Sequence, residues 1–397
     1  MTEVQSTILN LLSNALFDRK RVIQRQDWID VLQETKNQAI GQLVESVLDR
    51  SLLSTEEAKA WKEFALTGIA HNIRVNHNHS QLHEWLSDIP YVILKGTASA
   101  FYYPVPSYRS MGDVDFLVRE EDLNRVGEIL AKHGLKPWDE EHISHIVFRG
   151  LGMHYEMHFN LAGTPNGTAG DLVREYTNDI FEKAQELTID TGKAMLPSPF
   201  HHGLVLLLHT CHHLTGEGIG LRHLCDWAVF ENSFSDEEFQ EMFEYKLKKI
   251  GLWHFAQVLT RASVKYLGAD DKTWAVADER LVDAIMEDIL TGGNFGRKDS
   301  NRAIQTMLIS DRGKDGVGKS SIPVQFLRSA NKIVYVKWPA ARKNKLLLPV
   351  GWIVFGARRV IRELVGKRKK TNIKRLFDCA DQRRKLYSQL RLYETED

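Results

Sequence analysis

Two carboxylates separated by one residue, Asp113 and Asp115, lie in a strand-like apolar run at 113–118. Side chains of a strand alternate between its faces, so both carboxylates point the same way while Val114 and Phe116 point into the other layer. Two carboxylates on one side repel each other unless a cation lies between them. The spacing therefore predicts a site for a divalent metal ion, first of all Mg²⁺.

A glycine turn precedes these carboxylates, because the apolar run at 91–94 stops at Lys95, Gly96 and Thr97. Phosphate oxygens approach backbone N–H groups closely only where side chains are small, and a helix N-terminus adds favourable positive charge. The Thr97 hydroxyl can also hydrogen-bond a phosphate. Lys95 and Arg109 are the cations nearest in sequence that could contact triphosphate oxygens. The alternative is that both are surface charges near a turn.

Together these strings resemble a known family. L-K-G-T at 94–97, followed by G-D-V-D-F-L-V at 112–118, resembles the nucleotidyltransferase fold of the DNA polymerase β superfamily. With Arg109 between the two strings, the chain resembles more closely a bacterial group of uncharacterised nucleotidyltransferases. The resemblance covers the segment 89–196 closely and continues loosely beyond it.

The resemblance implies an α/β fold of the α+β kind: a small mixed sheet of nucleotidyltransferase type, flanked by N-terminal and C-terminal helical regions. It also implies Mg²⁺, with Mn²⁺ as the alternative ion, and an NTP as co-substrate. The chain departs from the superfamily pattern at Thr97, where serine is common, and at 98–100, which replace a longer glycine-containing turn. The nucleotide preference therefore stays open.

A third carboxylate, Glu156, lies in a strand-like run at 153–159 that follows a similar run at 144–148. The short Arg-Gly-Leu-Gly connection between them predicts a hairpin. In the resembled fold, a third carboxylate comes from a later, neighbouring strand, and Glu156 matches that placement. The resemblance thus implies that Glu156 completes the metal site of Asp113 and Asp115, or acts as general base on the attacking hydroxyl.

The face that carries Glu156 should also carry His154 and His158. One alternative is a hairpin that only shows its polar side to water. A second is a zinc site made of His154, Glu156 and His158, which the lack of a further cysteine or histidine ligand disfavours. His158 is a candidate partner of the carboxylates or a candidate substrate contact.

Helical periodicity frames this segment on both sides. Ser54 followed by Glu57 predicts a capping box for a helix in the N-terminal region. Pro197 and Pro199 mark a boundary before a second helical region. These signals divide the chain into an N-terminal helical region at 1–88, a nucleotidyltransferase catalytic domain at 89–196, a helical domain at 197–330 and a basic amphipathic C-terminal extension at 331–397.

The second helical region carries further polar residues. Arg222 and Asp226 are four residues apart, which predicts an ion pair within a helix, with a substrate-facing role as the alternative. His209, His212 and His213 lie near one another on a preceding helix, but no carboxylate or thiolate supports a zinc site there.

The C-terminal extension is rich in lysine and arginine, notably at 367–370, 374–375 and 383–385. Such a segment can contact anionic lipid surfaces or a polyanionic substrate, or it can be a solvated helix that packs one side on the core. The string at 316–320 resembles part of a phosphate loop but lacks the earlier glycine.

Composition bounds the class of protein. The 397 residues include 52 basic and 52 acidic side chains, so net charge argues neither for nor against a nucleic-acid partner. Three cysteines without CxxC spacing indicate a reduced setting. With no signal-peptide pattern and no long apolar stretch, we expect a cytoplasmic protein without a transmembrane segment, with peripheral membrane contact through the basic extension as the alternative.

The sequence therefore predicts an Mg²⁺-dependent nucleotidyltransferase that moves a nucleotidyl group from an NTP to a hydroxyl or phosphate acceptor on a small molecule, sugar or peptide. One alternative is a non-catalytic protein of the same fold that binds a nucleotide or a partner. Another is an enzyme that modifies RNA ends, which would bind RNA with strong salt dependence.

Overall fold

The computed structural model describes residues 1–24, 26–139, 144–189, 192–299, 301–309, 331, 334–335, 338, 340–364 and 373–395. The chain forms two compact units. The first comprises Met1–Leu214, Gly218–Lys298 and Leu390–Asp397, and the second comprises Thr215–Glu217 and Asp299–Gln389. The four-part division at 88, 196 and 330 stays a prediction.

A five-stranded mixed sheet lies in the first unit, which confirms the predicted α+β class. Its strands are β1 (Tyr91–Ile93), β2 (Val114–Val118), β3 (Lys136–Asp139), β4 (His145–Gly150) and β5 (Met153–His158), in the order β1-β2-β5-β4-β3. Strands β2 and β5 pair in parallel, and all other neighbours are antiparallel. The predicted hairpin is β4–β5.

Helices surround the sheet. In chain order they are α1 (Glu3–Phe17), α2 (Trp28–Gln38), α3 (Gly41–Glu45), α4 (Thr55–Trp85), α5 (Gly96–Ala100), α6 (Leu123–Lys132), α7 (Thr168–Tyr176), α8 (Pro199–Thr215), α9 (Leu221–Glu231), α10 (Asp236–Ile250), α11 (Trp253–Ala262) and α12 (Glu279–Gly292). Ser54 and Glu57 form the predicted capping box at the start of α4. This capping box satisfies backbone N–H groups that a helix N-terminus otherwise leaves without partners.

One face of the sheet carries the main apolar core. The residues that meet there are Val114 and Phe116 of β2, Tyr155 and Met157 of β5, Val75 and Leu82 of α4, and Val126 and Leu130 of α6. All are buried, and each such side chain contributes about 1.5–3 kcal/mol when removed from water. The alternation that buries Val114 and Phe116 sends the side chain of Asp115 to the opposite face.

The opposite face is apolar at one end only. Val92, Leu94 and Leu117 pack there with Ile180 and with Val205 of α8. Because α8 continues past Val205 to Thr215, its last two turns can lie beside the polar end of the same face. This arrangement positions the candidate site.

A second, two-stranded sheet was not expected from the sequence. Strands β6 (Gln185–Ile189) and β7 (Gly192–Leu196) pair antiparallel. Ala194 and Leu196 join the main core, while most side chains of β6 stay exposed or half-buried. A short strand with so little burial has a weak alternating pattern, which is why it was missed.

The second unit is helical where the structure describes it, with helices Arg302–Ile309, Ala340–Lys343, Leu347–Leu364 and Ile373–Leu390. The Arg383 guanidinium donates to the Gly216 carbonyl and to the Tyr387 hydroxyl. The basic string 367–370 and the phosphate-loop-like string 316–320 lie outside the described residues. Within the described parts of the chain, no helix is both long and apolar enough to cross a membrane.

Candidate functional site

Asp115 of β2 lies at the centre of the polar face. Its Oδ1 is 2.8 Å from Nζ of Lys95, the residue that follows the end of β1 by two positions. The same oxygen is 3.1 Å from Nε2 of His158, at the end of β5. Strand pairing places Asp115 directly opposite Glu156, and His158 Nε2 is also 3.4 Å from Glu156 Oε2. Three elements thus meet around one buried carboxylate.

The Asp115 carboxylate is held ionised. Its burial would raise its pKa, but the Lys95 ammonium, and then the hydrogen bond from His158, more than offset this and hold the pKa of Asp115 well below the ordinary value. Since the two acceptor carboxylates face His158 Nε2, this nitrogen carries the proton.

Asp113 has the opposite electrostatic character. It immediately precedes β2, and its side chain is half-exposed. Burial first, and then repulsion by Asp115 and Glu156, raises the pKa of Asp113. The nearest cationic candidate in contact is His154, with Nδ1 at 3.8 Å from Oδ1. Asp113 is therefore the carboxylate of this face whose negative charge is least compensated.

Glu156 lies in a second cluster of metal-ligating side chains. One ligand atom from each of His145, Glu156 and His158 lies within 4.8 Å of the others. His145 joins because β4 pairs it directly with His158. The zinc site considered from the sequence consisted of His154, Glu156 and His158. Among the described residues, the structure places His145 rather than His154 in this group. His145 reaches this group because of the pairing register between β4 and β5. Residue spacing within a single strand could not predict that register.

The residues fit a divalent ion. Asp113, Asp115 and Glu156 supply hard oxygen donors of the kind that Mg²⁺ prefers. Repulsion by Asp115 and Glu156, second to burial, raises the pKa of Asp113, and a bound cation would relieve that repulsion. The His145 imidazole beside Glu156 adds a nitrogen donor, which Mn²⁺ accepts more readily than Mg²⁺ does. The Asp115 oxygen is shared with Lys95, so an ion bound there competes with that ammonium.

The turn after β1 has an unusual backbone. Lys95 has a φ of 50° and Gly96 a φ of 28°, and a left-handed conformation is costly for lysine. An ideal Cβ at Gly96 would meet no heavy atom within 4 Å, so the backbone there is open to a close approach. The contact of Gly96 with a phosphate stays a prediction.

The Thr97 hydroxyl does not have the expected role. Thr97 is buried, and its Oγ1 donates to Oδ1 of Asn76 in α4 at 2.9 Å. A phosphate oxygen only accepts hydrogen bonds, and the single hydroxyl proton is already donated. Thr97 therefore holds the turn against α4 through this hydrogen bond.

Arg109 also differs from the expectation. Its Nε and Nη2 donate to Oδ1 and Oδ2 of Asp226 at 2.8 and 2.6 Å, and Tyr103 donates to the same carboxylate. Arg109 and Asp226 are both buried. The geometry is a bidentate ion pair, which uses the donors that a triphosphate would need. Arg109 thus ties the segment before β2 to α9.

This pair overturns a second expectation, the ion pair between Arg222 and Asp226. Asp226 is occupied by Arg109, and Arg222 instead points its Nη1 toward the Ser110 carbonyl at 3.5 Å. The Arg222 guanidinium also lies 5.5 Å from the centroid of the Phe295 ring. Helical spacing alone could not separate two arginines that compete for one carboxylate.

The last turns of α8 bring histidines close to the carboxylates. Burial, and then the Lys95 charge, lowers the pKa of His209 far below its ordinary value. Burial lowers the pKa of His213 to about 3, and both Lys95 and Asp115 act on it over a distance. His209 and His213 are therefore neutral imidazoles near Lys95. The sequence grouped these histidines but gave no reason to place them beside the site.

Comparison with known proteins supports a family assignment. The model of a family described as uncharacterised nucleotidyltransferase matches residues 24–268. One solved structure also matches, titled as the crystal structure of an antigenic nucleotidyltransferase-like protein from Paracoccidioides brasiliensis. The two sequences are 15% identical, the match covers 51% of this chain and 96% of that chain, and the TM-score is 0.31. No curated protein matches the chain.

Proposed function

Since the chain belongs to the family of uncharacterised nucleotidyltransferases, we propose that it is an Mg²⁺-dependent enzyme that transfers a nucleotidyl group from an NTP. The acceptor is a hydroxyl or phosphate on a small molecule, sugar or peptide. The observation that carries the proposal is the register of β2 and β5, which sets Asp115 opposite Glu156 with Asp113 close enough to repel both. The matched segment contains all of these residues.

Asp113 and Asp115 would hold Mg²⁺, and Glu156 would complete the site, with Mn²⁺ as the alternative ion. When bound, the ion supplies positive charge to the phosphate oxygens and favours loss of the acceptor proton. The repulsion of Asp113 by Asp115 and Glu156 supports this placement, because a cation among the three carboxylates would relieve it. Among the described residues, His154 is the side chain in contact with Asp113, whereas the Lys95 ammonium contacts Asp115.

Lys95 and Gly96 would contact the triphosphate. The open backbone at Gly96 admits phosphate oxygens to the N–H groups at the start of α5. Lys95 Nζ contacts Asp115. When Asp115 holds a cation instead, the Lys95 ammonium would be free to contact the phosphates. Arg109 and the Thr97 hydroxyl take no part in this contact, because Asp226 and Asn76 occupy them.

Glu156 would act as general base, or as a further metal ligand. As a base it accepts the proton of the acceptor hydroxyl, and that oxygen forms a bond to the α-phosphorus. The bond between the α-phosphorus and the bridging oxygen breaks, and pyrophosphate leaves with the electron pair. His158 holds the Glu156 and Asp115 carboxylates in place through its Nε2.

Calorimetric titration of non-hydrolysable ATP, GTP, CTP and UTP analogues, with and without Mg²⁺, tests the proposal. We expect Mg²⁺-dependent binding by the wild type and its loss in Asp113→Asn/Asp115→Asn, which keeps side-chain volume. The matched control is Glu120→Ala/Glu121→Ala, which removes two exposed acids that follow β2 and should leave binding unchanged.

The outcomes separate the alternatives. If none of the four analogues binds, the catalytic proposal fails and a partner-binding protein of this fold takes its place. If the analogues bind and the chain also binds RNA with a steep salt dependence, the acceptor is an RNA end. Turnover of a bound NTP with a panel of phosphorylated and hydroxylated small molecules then identifies the acceptor class.

A further inference from the structure

A cluster of five side chains lies next to the carboxylates but takes no part in the proposed chemistry. It consists of His209 and His213 from α8, Arg222 and His223 from the first turn of α9, and Phe295 from the turn after α12. We call it the arginine–histidine cluster. All five residues belong to the first unit.

The rings of this cluster form one continuous contact. His213 lies 4.4 Å from His209 and 4.6 Å from Phe295 between ring centroids. His223 lies 5.6 Å from His209 and 5.4 Å from Phe295. The Arg222 guanidinium faces the same Phe295 ring at 5.5 Å. One cation and two imidazoles therefore contact a single aromatic ring, and the His209 imidazole contacts both of these histidines.

His223 has a buried donor without an acceptor. Its Nδ1 accepts the backbone N–H of Gly220 at 3.3 Å, so Nε2 carries the proton of the neutral ring. The residue is 4% exposed, and Nε2 has no hydrogen-bond partner among the described residues. A buried donor left without an acceptor is unfavourable, and a bound oxygen atom would supply the missing acceptor.

Arg222 is a cation without a carboxylate partner. Within the described part of the chain, no Asp or Glu oxygen lies within 4 Å of its guanidinium, because Asp226 is paired with Arg109. Burial, and then the nearby Arg109, lowers the pKa of Arg222 to about 10, so the group is still charged at neutral pH. A half-buried guanidinium with this little compensation attracts an anion.

The cluster borders the proposed site. Arg222 contacts the carbonyl of Ser110, three residues before Asp113. Lys95 and Asp115 both act electrostatically on His213. An anion held by Arg222 would therefore lie near the carboxylates and Lys95.

Phe295 is held in a strained conformation. Its φ of 54° and ψ of 38° are left-handed, which is costly for an aromatic residue, and its side chain is 37% exposed. The turn cannot relax freely, because Gly220 approaches it so closely that an ideal Cβ there would lie 2.7 Å from Cα of Asn294. The fold thus fixes an exposed aromatic ring beside the cation and the orphan donor.

We propose that the arginine–histidine cluster is an oxyanion-binding subsite, in which Arg222 and the Nε2–H of His223 bind a phosphate or carboxylate group and Phe295 covers its apolar side. Its assignment to substrate rests on the proposed function, but the binding of an anion does not. Two sources carry this chemistry: the triphosphate of the nucleotide and an anionic group of the acceptor.

The test begins with inorganic phosphate and the metal-free, full-length protein. We expect phosphate to bind the wild type, and Arg222→Met to weaken it about tenfold or more. Arg222→Lys keeps the charge and should retain part of the affinity. Arg125→Met removes an exposed arginine of α6 that contacts Asp88, and it should change nothing.

His223 supplies an independent variant and readout. His223→Phe keeps a ring in the cluster and removes the donor, so phosphate binding should weaken about tenfold. In the wild type, the NMR signal of the His223 Nε2–H should shift with phosphate, and in Arg222→Met it should not. If the wild type binds no phosphate, or if Arg222→Met and His223→Phe each bind phosphate as tightly as the wild type does, the subsite is refuted.

A second titration distinguishes the two sources. If the oxyanion belongs to the nucleotide, Arg222→Met weakens the Mg²⁺-dependent NTP analogue and bound analogue excludes phosphate. If it belongs to the acceptor, Arg222→Met leaves analogue binding unchanged and phosphate adds to the preformed complex. Phosphate binding that depends on Arg222 in a protein that binds no NTP analogue would support the subsite and refute the proposed function.

Discussion

At the scale of single residues, the polar face is governed by which carboxylate has a cation in contact. Among the residues that the structure describes, Lys95 contacts Asp115 at 2.8 Å, and no cation lies as close to Asp113. The lowered pKa of Asp115 contributes stability that is present above its ordinary pKa of 3.8 and is lost as pH falls through the folded-state value. Lys95 is the largest favourable contribution to this effect.

Lys95→Met should therefore destabilise the protein by about 3 kcal/mol at neutral pH, because it leaves a buried carboxylate without its cation. Acidification protonates Asp115 in the variant first, so the difference from the wild type should shrink as pH falls below about 4. Urea unfolding at neutral and acidic pH measures it. Lys132→Met, at the exposed end of α6, is the control, and a gap that is constant with pH would contradict the assignment.

Arg109 gives a second prediction for a single residue. Arg109→Met leaves Asp226 buried with only the Tyr103 hydroxyl as donor among the contacts described, and it should cost about 3–5 kcal/mol of unfolding free energy. Arg119→Met breaks the exposed pair with Glu182 and should cost at most about 1 kcal/mol.

The double variant Arg109→Met/Asp226→Leu decides the cause of that loss. Replacing a buried ion pair with apolar side chains is often nearly neutral, so the double variant should recover most of the stability. If it is no more stable than Arg109→Met alone, the buried charge is not what destabilises the single variant. Denaturant unfolding of all the variants under one condition provides the comparison.

These residues also show how far the sequence could predict the site. Asp113, Asp115 and Glu156 follow from the two-residue period of a strand, which is a local rule. The partners of Thr97 and Arg109 lie 21 and 117 residues away in the chain, at Asn76 and Asp226. No local rule reaches across such separations, so both residues were assigned to phosphate and the structure placed their donors elsewhere.

At the scale of elements, the features that depend on residues close together in the sequence were predicted correctly. The capping box of α4 and the β4–β5 hairpin are local patterns, and both are present. The β6–β7 hairpin was missed because its burial comes from packing of Ala194 and Leu196 on the main core. The pairing of His145 with His158 likewise depends on register between strands, which the alternation within either strand leaves undetermined.

Two glycines in helices test how elements pack around the site. A Cβ at Gly203 of α8 would lie 2.5 Å from the Phe243 ring and 2.6 Å from the Phe230 ring, whereas a Cβ at Gly127 of α6 would meet Phe148 only at 3.7 Å. Gly203→Ala should therefore destabilise by about 1–3 kcal/mol through overpacking. Gly127→Ala should stabilise by about 0.5–1 kcal/mol through helix propensity.

Thermal unfolding of the two variants measures both effects on stability, the expected loss for Gly203→Ala and the expected gain for Gly127→Ala. The chemical change, glycine to alanine, is the same in both. Because α8 also carries His209 and His213, Gly203→Ala should in addition weaken phosphate binding at the arginine–histidine cluster. Equal effects of the two substitutions on unfolding would show that α8 and its aromatic neighbours do not pack as tightly as the structure indicates.

At the scale of the whole molecule, the segment Leu390–Asp397 packs as part of the first unit. Leu390–Asp397 belongs to this unit although residues 299–389 belong to the second. The Tyr393 backbone N–H donates to the Gly251 carbonyl, and its hydroxyl donates to the carbonyl of Gly163. Burial raises the pKa of Tyr393 far above its ordinary value, and the nearby Cys211 adds to this. Packing of the basic extension on the core was one of its two interpretations from the sequence, but no sequence pattern singled out Tyr393 as a contact.

Tyr393→Ala should destabilise the first unit by about 3 kcal/mol, because it removes a large, mostly buried ring and a hydrogen bond to a loop carbonyl. Tyr393→Phe removes only the hydroxyl and should cost about 1 kcal/mol. Tyr245→Ala, at a tyrosine that is 67% exposed, is the matched control and should have little effect. Urea unfolding followed by tryptophan fluorescence measures all three. Equal stability of Tyr393→Ala and Tyr245→Ala would mean that the chain end does not contribute to the unit. A large loss confined to Tyr393→Ala would show that Tyr393, which lies beside Cys211 of α8, helps to hold α8 in place. The histidines beside the carboxylates lie on the same helix.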